Sequence, residues 1–291
     1  MSHVLTLIAN RQATSLTTAR IARVRDALAG GEAVILSDGE AADIPIAADP
    51  DMDSVRAALG GAAIDAMVLK TRGRRKALLI ADMDSTIITG ETLDELAGFA
   101  GLGETIAAIT ARAMNGEIDF KDALRERVAL LKGLPLNSLE HTWKQVRLTS
   151  GARELVATMR AKGALTALVS GGFSYFTGRV AAVLGFDLHR SNVLLDDGSA
   201  LIGRVAEPIL DRSTKLETLV ALAAERGLKL SATLAVGDGA NDLDMLRSAG
   251  LGVAFHAKPI VAREARARVD HADLRALLFA QGYRAAEFAE P

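Results

Sequence analysis

Residues 76–86 read KALLIADMDST, and the reading of this stretch decides the fold. An uninterrupted apolar run of four to six residues, bounded by a cation on one side and acids on the other, has the length of a buried strand and is too short for a helix. It closes on Asp82 and Asp84, two carboxylates at i and i+2. On a continuing strand they share one face, too close for both to carry charge comfortably without a counter-cation. In isolation the same residues also fit an acidic turn, so the companions of the stretch must decide.

Three other apolar runs end in the same manner: ALTALVSGG (164–172), ATLAVGDGAND (232–242) and GLGVAFHA (250–257). Between them lie helical patterns, ARELVATMRAKG, FSYFTGRVAAVLG and STKLETLVALAAERG. Strands alternating with helices make a Rossmann-like parallel sheet covered on both faces, and ligands of such sheets sit beyond the carboxyl ends of the strands. The polar residues that close the runs therefore converge on one site. From about 92 to 147 the alternation stops, and apolar residues recur at three- and four-residue spacing, which predicts a helical insertion, a cap, after the first core strand.

Before residue 73 the order differs. HVLTLIA, SLTTARIARVRDALAGG, AVILSDG, ADIPIA, DMDSVRAALGG and AIDAMVLK read as strand, helix, strand, strand, helix, strand, the order of a small α+β ferredoxin-like sandwich. The expected division is a first domain over 1–72 and an α/β domain over 73–291. TRGRRK (71–76) reads as an exposed connector, since neighbouring cations usually make a solvated linker rather than a nucleic-acid patch.

Composition bounds the chemistry. With 49% hydrophobic and 24% charged residues the chain can bury a sizeable core, and its formal charge of −2 gives no global reason to bind nucleic acid or an anionic membrane. There is no cysteine, which excludes disulfides, thiol catalysis and thiolate zinc sites. The histidines (His3, His141, His189, His256, His271) are scattered, with no H-E-x-x-H pair. No signal-like or spanning apolar segment is evident, so a cytoplasmic protein is expected.

Asp238 and Asp242 in GDGAND add two acidic groups to those of DMDST, a set suited to magnesium, with glycines that let backbone approach a ligand. Either residue alone could be a helix cap. Ser170 and Gly171 offer a hydroxyl and free N–H groups where a strand gives way to a helix, a natural anion site, though a glycine turn alone reads the same. Lys215 falls in the first turn of a helix beginning near Ser213, where the macrodipole disfavours a cation unless a phosphate compensates.

DMDST, VSGGF, Lys215 and GDGAND, in this order, resemble the successive motifs of haloacid dehalogenase (HAD) superfamily phosphatases. DMDSTIITGETLDELA, MNGEIDFKDALRERVALLKGLP and LVSGGFSYF are similar to the phosphoserine phosphatase branch of that superfamily. The first 70 or so residues resemble the regulatory domains called ACT. The resemblance implies hydrolysis of O-phosphoserine to serine and phosphate, the last step of serine biosynthesis, with Asp82 as nucleophile and Asp84 as general acid and base. It implies Mg²⁺ held by Asp82, the Asp84 carbonyl and Asp238, with Asp242 on metal-bound water. Ser170, Gly171 and Lys215 would bind the phosphoryl oxygens with Asn241 near them, Glu91 the substrate ammonium and Arg127 its carboxylate, while Met114 and Phe120 close the pocket. A homodimer through the first domain is compatible with it, with no nucleic-acid or membrane partner. Two other readings stay open: a HAD phosphatase or phosphotransferase acting on another small ester, and an amino-acid-sensing regulatory protein. The complete acidic set argues against the second.

Overall fold

A computed structural model describes residues 3–114 and 117–290, the Met114 side chain excepted. The first unit runs β1 (His3–Ala9), α1 (Thr18–Ala27), β2 (Val34–Ser37), β3 (Ala41–Ile46), α2 (Met52–Leu59), β4 (Ile64–Lys70). Its helices begin where side chains replace the missing backbone partners: Thr17 accepts from the Arg20 N–H, and Asp51 from those of Asp53 and Ser54. The antiparallel sheet, in order β2-β3-β1-β4, sorts its side chains by the two-residue period. Leu5 and Leu7 pack with Val24, Ile44 and Val55 under the unit's own helices, whereas Val4, Ile8, Met67 and Leu69 join the core of the second unit.

The second unit is built on β5 (Leu78–Ala81), then four helices α3 (Thr92–Phe99), α4 (Gly103–Met114), α5 (Phe120–Ala129) and α6 (Asn137–Gln145). It continues α7 (Ala152–Ala161), β6 (Leu165–Phe173), α8 (Ser174–Leu184), β7 (Leu188–Asn192), β8 (Leu194–Asp196), β9 (Leu201–Val205) and α9 (Arg212–Glu225). Last come β10 (Thr233–Gly237), α10 (Leu243–Ser248), β11 (Leu251–Phe255), α11 (Pro259–Glu264), β12 (Ala267–Val269) and α12 (Ala276–Ala280). Six parallel strands stand in the order β12-β11-β10-β5-β6-β7. In β5, Leu79 and Ala81 face one apolar cluster, Leu78 and Ile80 the other, so the strand is buried on both sides. The α/β class expected from the alternation is the class observed.

The chain enters and leaves the four-helix cap through a paired stalk: the Thr89 N–H donates to the Arg147 carbonyl (3.0 Å), and the Thr149 N–H to that of Ile87 (2.9 Å). The small antiparallel β8–β9 hairpin, absent from the sequence reading, extends the cap. Its Leu201 exchanges backbone bonds with Gly133 and Leu134 at 2.8 and 2.9 Å. TRGRRK departs from the expected solvated linker. Arg74 is largely buried, paired with Asp43 at 2.5 Å and donating to Thr6 Oγ1 and to the carbonyls of Phe279 and Ala280. Arg75 pairs with Glu287 and lies over the Tyr283 ring. Asp65 accepts the backbone N–H groups of Asp270, His271 and Ala272, and Arg275 pairs with Glu40 at 2.8 Å. The two units thus share both an apolar core and a set of buried polar ties.

Candidate active site

Strand register assembles the site. β5 lies between β10 and β6, with Ala81 opposite Val236 on one side and Leu168 on the other. Continuing each strand brings Asp82, Gly237–Asp238 and Ser170 to the same end of the sheet. After Asp82 the chain makes one wide turn, closed by the Ile88 N–H on the Met83 carbonyl at 3.0 Å, with Ser85 at φ 54°. That turn sends Asp84 toward β6, where its Oδ2 accepts from Ser170 Oγ at 3.3 Å and its Oδ1 from the Thr92 N–H at 2.9 Å. β6 loses register between Val169 and Phe173, and the Gly172 N–H turns back onto Ser170 Oγ at 2.9 Å.

Asp82, Asp238 and Asp242 are buried, and each offers one carboxylate oxygen within 4.8 Å of the others. Lys215, in the first turn of α9, places Nζ 2.8 Å from Asp82 Oδ1 and 2.6 Å from Asp242 Oδ1. The remaining Asp242 oxygen accepts the Gly239 N–H at 3.0 Å. Gly237 is required here, because a Cβ would lie 2.3 Å from the Asp242 carboxyl carbon. Burial, then the nearby charge of Asp82, pushes Asp242 up to about 7 and Asp238 up to about 6. Burial, then Glu91, pushes Asp84 up to about 7. Burial opposes the Lys215 ammonium, yet Asp242 and Asp82 more than offset it and hold its pKa above the usual lysine value. A cluster this short of positive charge, made of hard oxygen donors, fits a small divalent cation.

A cavity of about 130 Å³ opens in front of this cluster, lined by Asp82, Asp84, Ser170, Gly171, Asp238 and Asn241 below. Glu91, Phe120 and Arg127 close it from the cap side. Glu91 accepts from Ser85 Oγ at 2.7 Å, and burial raises its pKa. Among the described residues Arg127 donates only to the Ala123 carbonyl and, at 3.5 Å, to Thr110 Oγ1. Burial lowers its pKa, and no carboxylate pairs with it among the described residues. The Phe120 ring lies against Gly171, 3.3 Å from where a Cβ would stand. Lys121 and Arg125 on the same helix pair with Asp211 and Glu207, holding the cap down by exposed ion pairs.

Every site residue expected from the sequence lies in or directly behind this cavity except Met114, whose side chain is outside the described residues. Lys258 was missed. It lines the cavity with Nζ 3.7 Å from Asp238, and its N–H donates to the Asp238 carbonyl at 3.0 Å. The only sequence signal was its place before Pro259 at a helix start, which also suits an ordinary surface lysine.

A family model described as haloacid dehalogenase-like hydrolase matches residues 79–247. A phosphoserine phosphatase of Archaeoglobus fulgidus is 47% identical over 191 residues, 66% of this chain and 56% of that protein. One of Streptococcus thermophilus is 45% identical over 199 residues, 68% of this chain and 93% of that protein. A crystal structure of a probable phosphoserine phosphatase from Vibrio cholerae superposes with TM-score 0.80 at 33% identity, covering 98% of this chain and 88% of that one. The chain thus spans only about half of the archaeal relative and nearly all of the streptococcal one.

Proposed function

We propose, from the premise that the chain belongs to the haloacid dehalogenase-like hydrolases, that it is a phosphatase for O-phosphoserine. The observation that carries the substrate is the pairing of opposite charges over the acidic cluster. Glu91 and Arg127 face one small cavity, and Arg127 is a half-buried guanidinium with no carboxylate of its own among the described residues. An amino-acid head group supplies both an ammonium for Glu91 and a carboxylate for Arg127. The relatives named phosphoserine phosphatase support the same reading.

In this reading an Asp82 oxygen attacks phosphorus as the bond to the serine oxygen breaks, and the departing oxygen takes a proton from Asp84. The aspartyl-phosphate is then hydrolysed by a water that gives its proton back to Asp84, restoring Asp82. A carboxyl group with its pKa near 7 is suited to carry that proton both ways. Ser170 Oγ, the Gly171 N–H and the Lys215 ammonium hold the phosphoryl oxygens, with Asn241 beside them. Asp82, the Asp84 carbonyl and Asp238 would hold Mg²⁺, with Asp242 on metal-bound water, and the ion when bound would neutralise charge on the transferring group. Met114 and Phe120 shield the pocket from the cap. Residues 1–72 act as an ACT-like unit, packed on the catalytic one, through which two copies associate, in the cytoplasm.

The test is selective loss. Arg127→Ala should lower kcat/KM for phosphoserine roughly ten- to a hundredfold, about 1.5–3 kcal/mol, while hydrolysis of p-nitrophenyl phosphate, which has no carboxylate, stays nearly unchanged. Equal losses on both substrates would make Arg127 structural or a phosphate ligand and remove the main support for phosphoserine.

A further inference from the structure

At the opposite pole of the parallel sheet, where β5, β10, β11 and β12 begin, lies a second cleft of about 570 Å³. Its walls come from both units: Lys70 to Lys76 of the connector on one side, and Ser231, Gly250 and Arg266 on the other. Among the described residues six cations line it, Lys70, Arg72, Arg74, Arg75, Lys76 and Arg266, and no acidic residue does. In a chain whose formal charge is −2, this concentration is local rather than a reflection of overall basicity.

The six are not equivalent. Arg74 and Arg75 are committed to Asp43 and Glu287. Lys76 is half-buried and donates to the carbonyls of Gly73 and Ser231, both at 2.8 Å, with no carboxylate partner. The side chains of Lys70, Arg72 and Arg266 are exposed and take part in none of the ion pairs or side-chain hydrogen bonds found among the described residues. Exposed arginines elsewhere on this unit include paired ones, Arg212, Arg247 and Arg268, and others outside the ion pairs of the described residues, Arg204, Arg226 and Arg263, so what sets this place apart is the gathering of cations on one cleft. The ends of Leu246, Ala249, Leu251 and Ala267 give the cleft an apolar floor. The volume suits a small organic molecule rather than a lone ion, since ligand pockets run from about 300 to 1,000 Å³.

We propose that this cleft binds a small organic polyanion of the nucleoside di- or triphosphate class, its phosphates on Lys70, Arg72, Lys76 and Arg266 and its base on the apolar floor. Guanidinium groups engage phosphate oxygens two at a time and also stack on planar rings, so they serve both parts of such a ligand. The bound molecule would bridge the connector and the amino ends of the catalytic strands without reaching the Asp82 pocket.

The experiment is calorimetric titration of the intact chain with ADP, inorganic pyrophosphate and adenosine separately, in metal-free buffer, for the natural protein and the Arg72→Ala/Arg266→Ala variant. Both substituted side chains are exposed and unpaired, so the variant should keep its melting temperature and its phosphatase activity. ADP should bind in the micromolar range, pyrophosphate and adenosine more weakly. The variant should lose about tenfold or more in ADP affinity, and binding should weaken with added salt. Equal ADP affinity in both proteins would place the ligand elsewhere, for instance at Lys215, and overturn the proposal. So would no heat at about 1 mM ADP. Pyrophosphate binding as tightly as ADP would overturn the nucleoside assignment, and a single-stranded oligonucleotide binding far more tightly would replace it with nucleic acid.

Discussion

At Gly172 a single hydrogen atom decides whether the proposed acid stays in place. Its backbone has no left-handed requirement, but an added Cβ would lie 2.8 Å from Asp84 Oδ2 and 3.1 Å from Ser170 Oγ. Asp84 is already fixed by the Thr92 N–H, so it can relieve the clash only by moving off Ser170. Displacement of about 1 Å at a reacting group can cost roughly a hundredfold in rate. Gly172→Ala should therefore lower kcat by about that factor on phosphoserine and on p-nitrophenyl phosphate alike, with little change in thermal midpoint. Normal turnover by this variant, in steady-state assays, would show that Asp84 does not work from its present position. The sequence showed VSGG as an anion-binding turn, but not why its second glycine matters, because the atom it avoids lies on another strand.

Strand ends gather the half-buried Asp84 and the buried Asp238 and Asp242 at one place, and their pKa values rise to about 7, 6 and 7 from 3.8. Between about pH 4 and 7 the metal-free folded protein then binds more protons than the unfolded chain. These carboxyls favour folding at low pH, and their contribution is lost as pH rises through the folded values. A divalent cation replaces the protons on Asp238 and Asp242. The rise in melting temperature on adding Mg²⁺ should be larger at pH 8 than at pH 5. An equal rise at both, by scanning calorimetry, would mean that the cation binds away from this cluster. Much at this scale was legible. The βαββαβ order and the alternating runs from residue 76 follow from periods of two and of three to four, which the chain itself displays. The β8–β9 hairpin was not, since Leu194–Asp196 is too short to show a period and the hairpin is tied to the cap through Ser199 and Leu201, partners remote in sequence. Nor was the fate of TRGRRK, because a charged run is solvated unless a distant partner intervenes.

Across the whole molecule, Arg74 is where the two units depend on each other. Its guanidinium satisfies Asp43 and Thr6 on the antiparallel sheet and two carbonyls at α12. Removing one member of a buried pair strands the other charge, at a cost of about 3–5 kcal/mol. Arg74→Ala should lose about that much in urea-denaturation stability, whereas Arg74→Met combined with Asp43→Leu should recover a large part. A loss below about 1 kcal/mol would mean that the tie is dispensable. The sheet order carries a different consequence, one of timing. β5 takes β10 as its neighbour, although the whole cap and the strands β6 to β9 separate them in sequence. A growing chain on the ribosome exposes Asp82 long before Asp238, Asp242 and Lys215 exist to receive it, and distant pairings of this kind form late. On the proposed mechanism, incomplete translation products and fragments cut short of β10 should therefore be inert toward phosphate esters, and the chemistry should begin only once the chain has grown past Asp242.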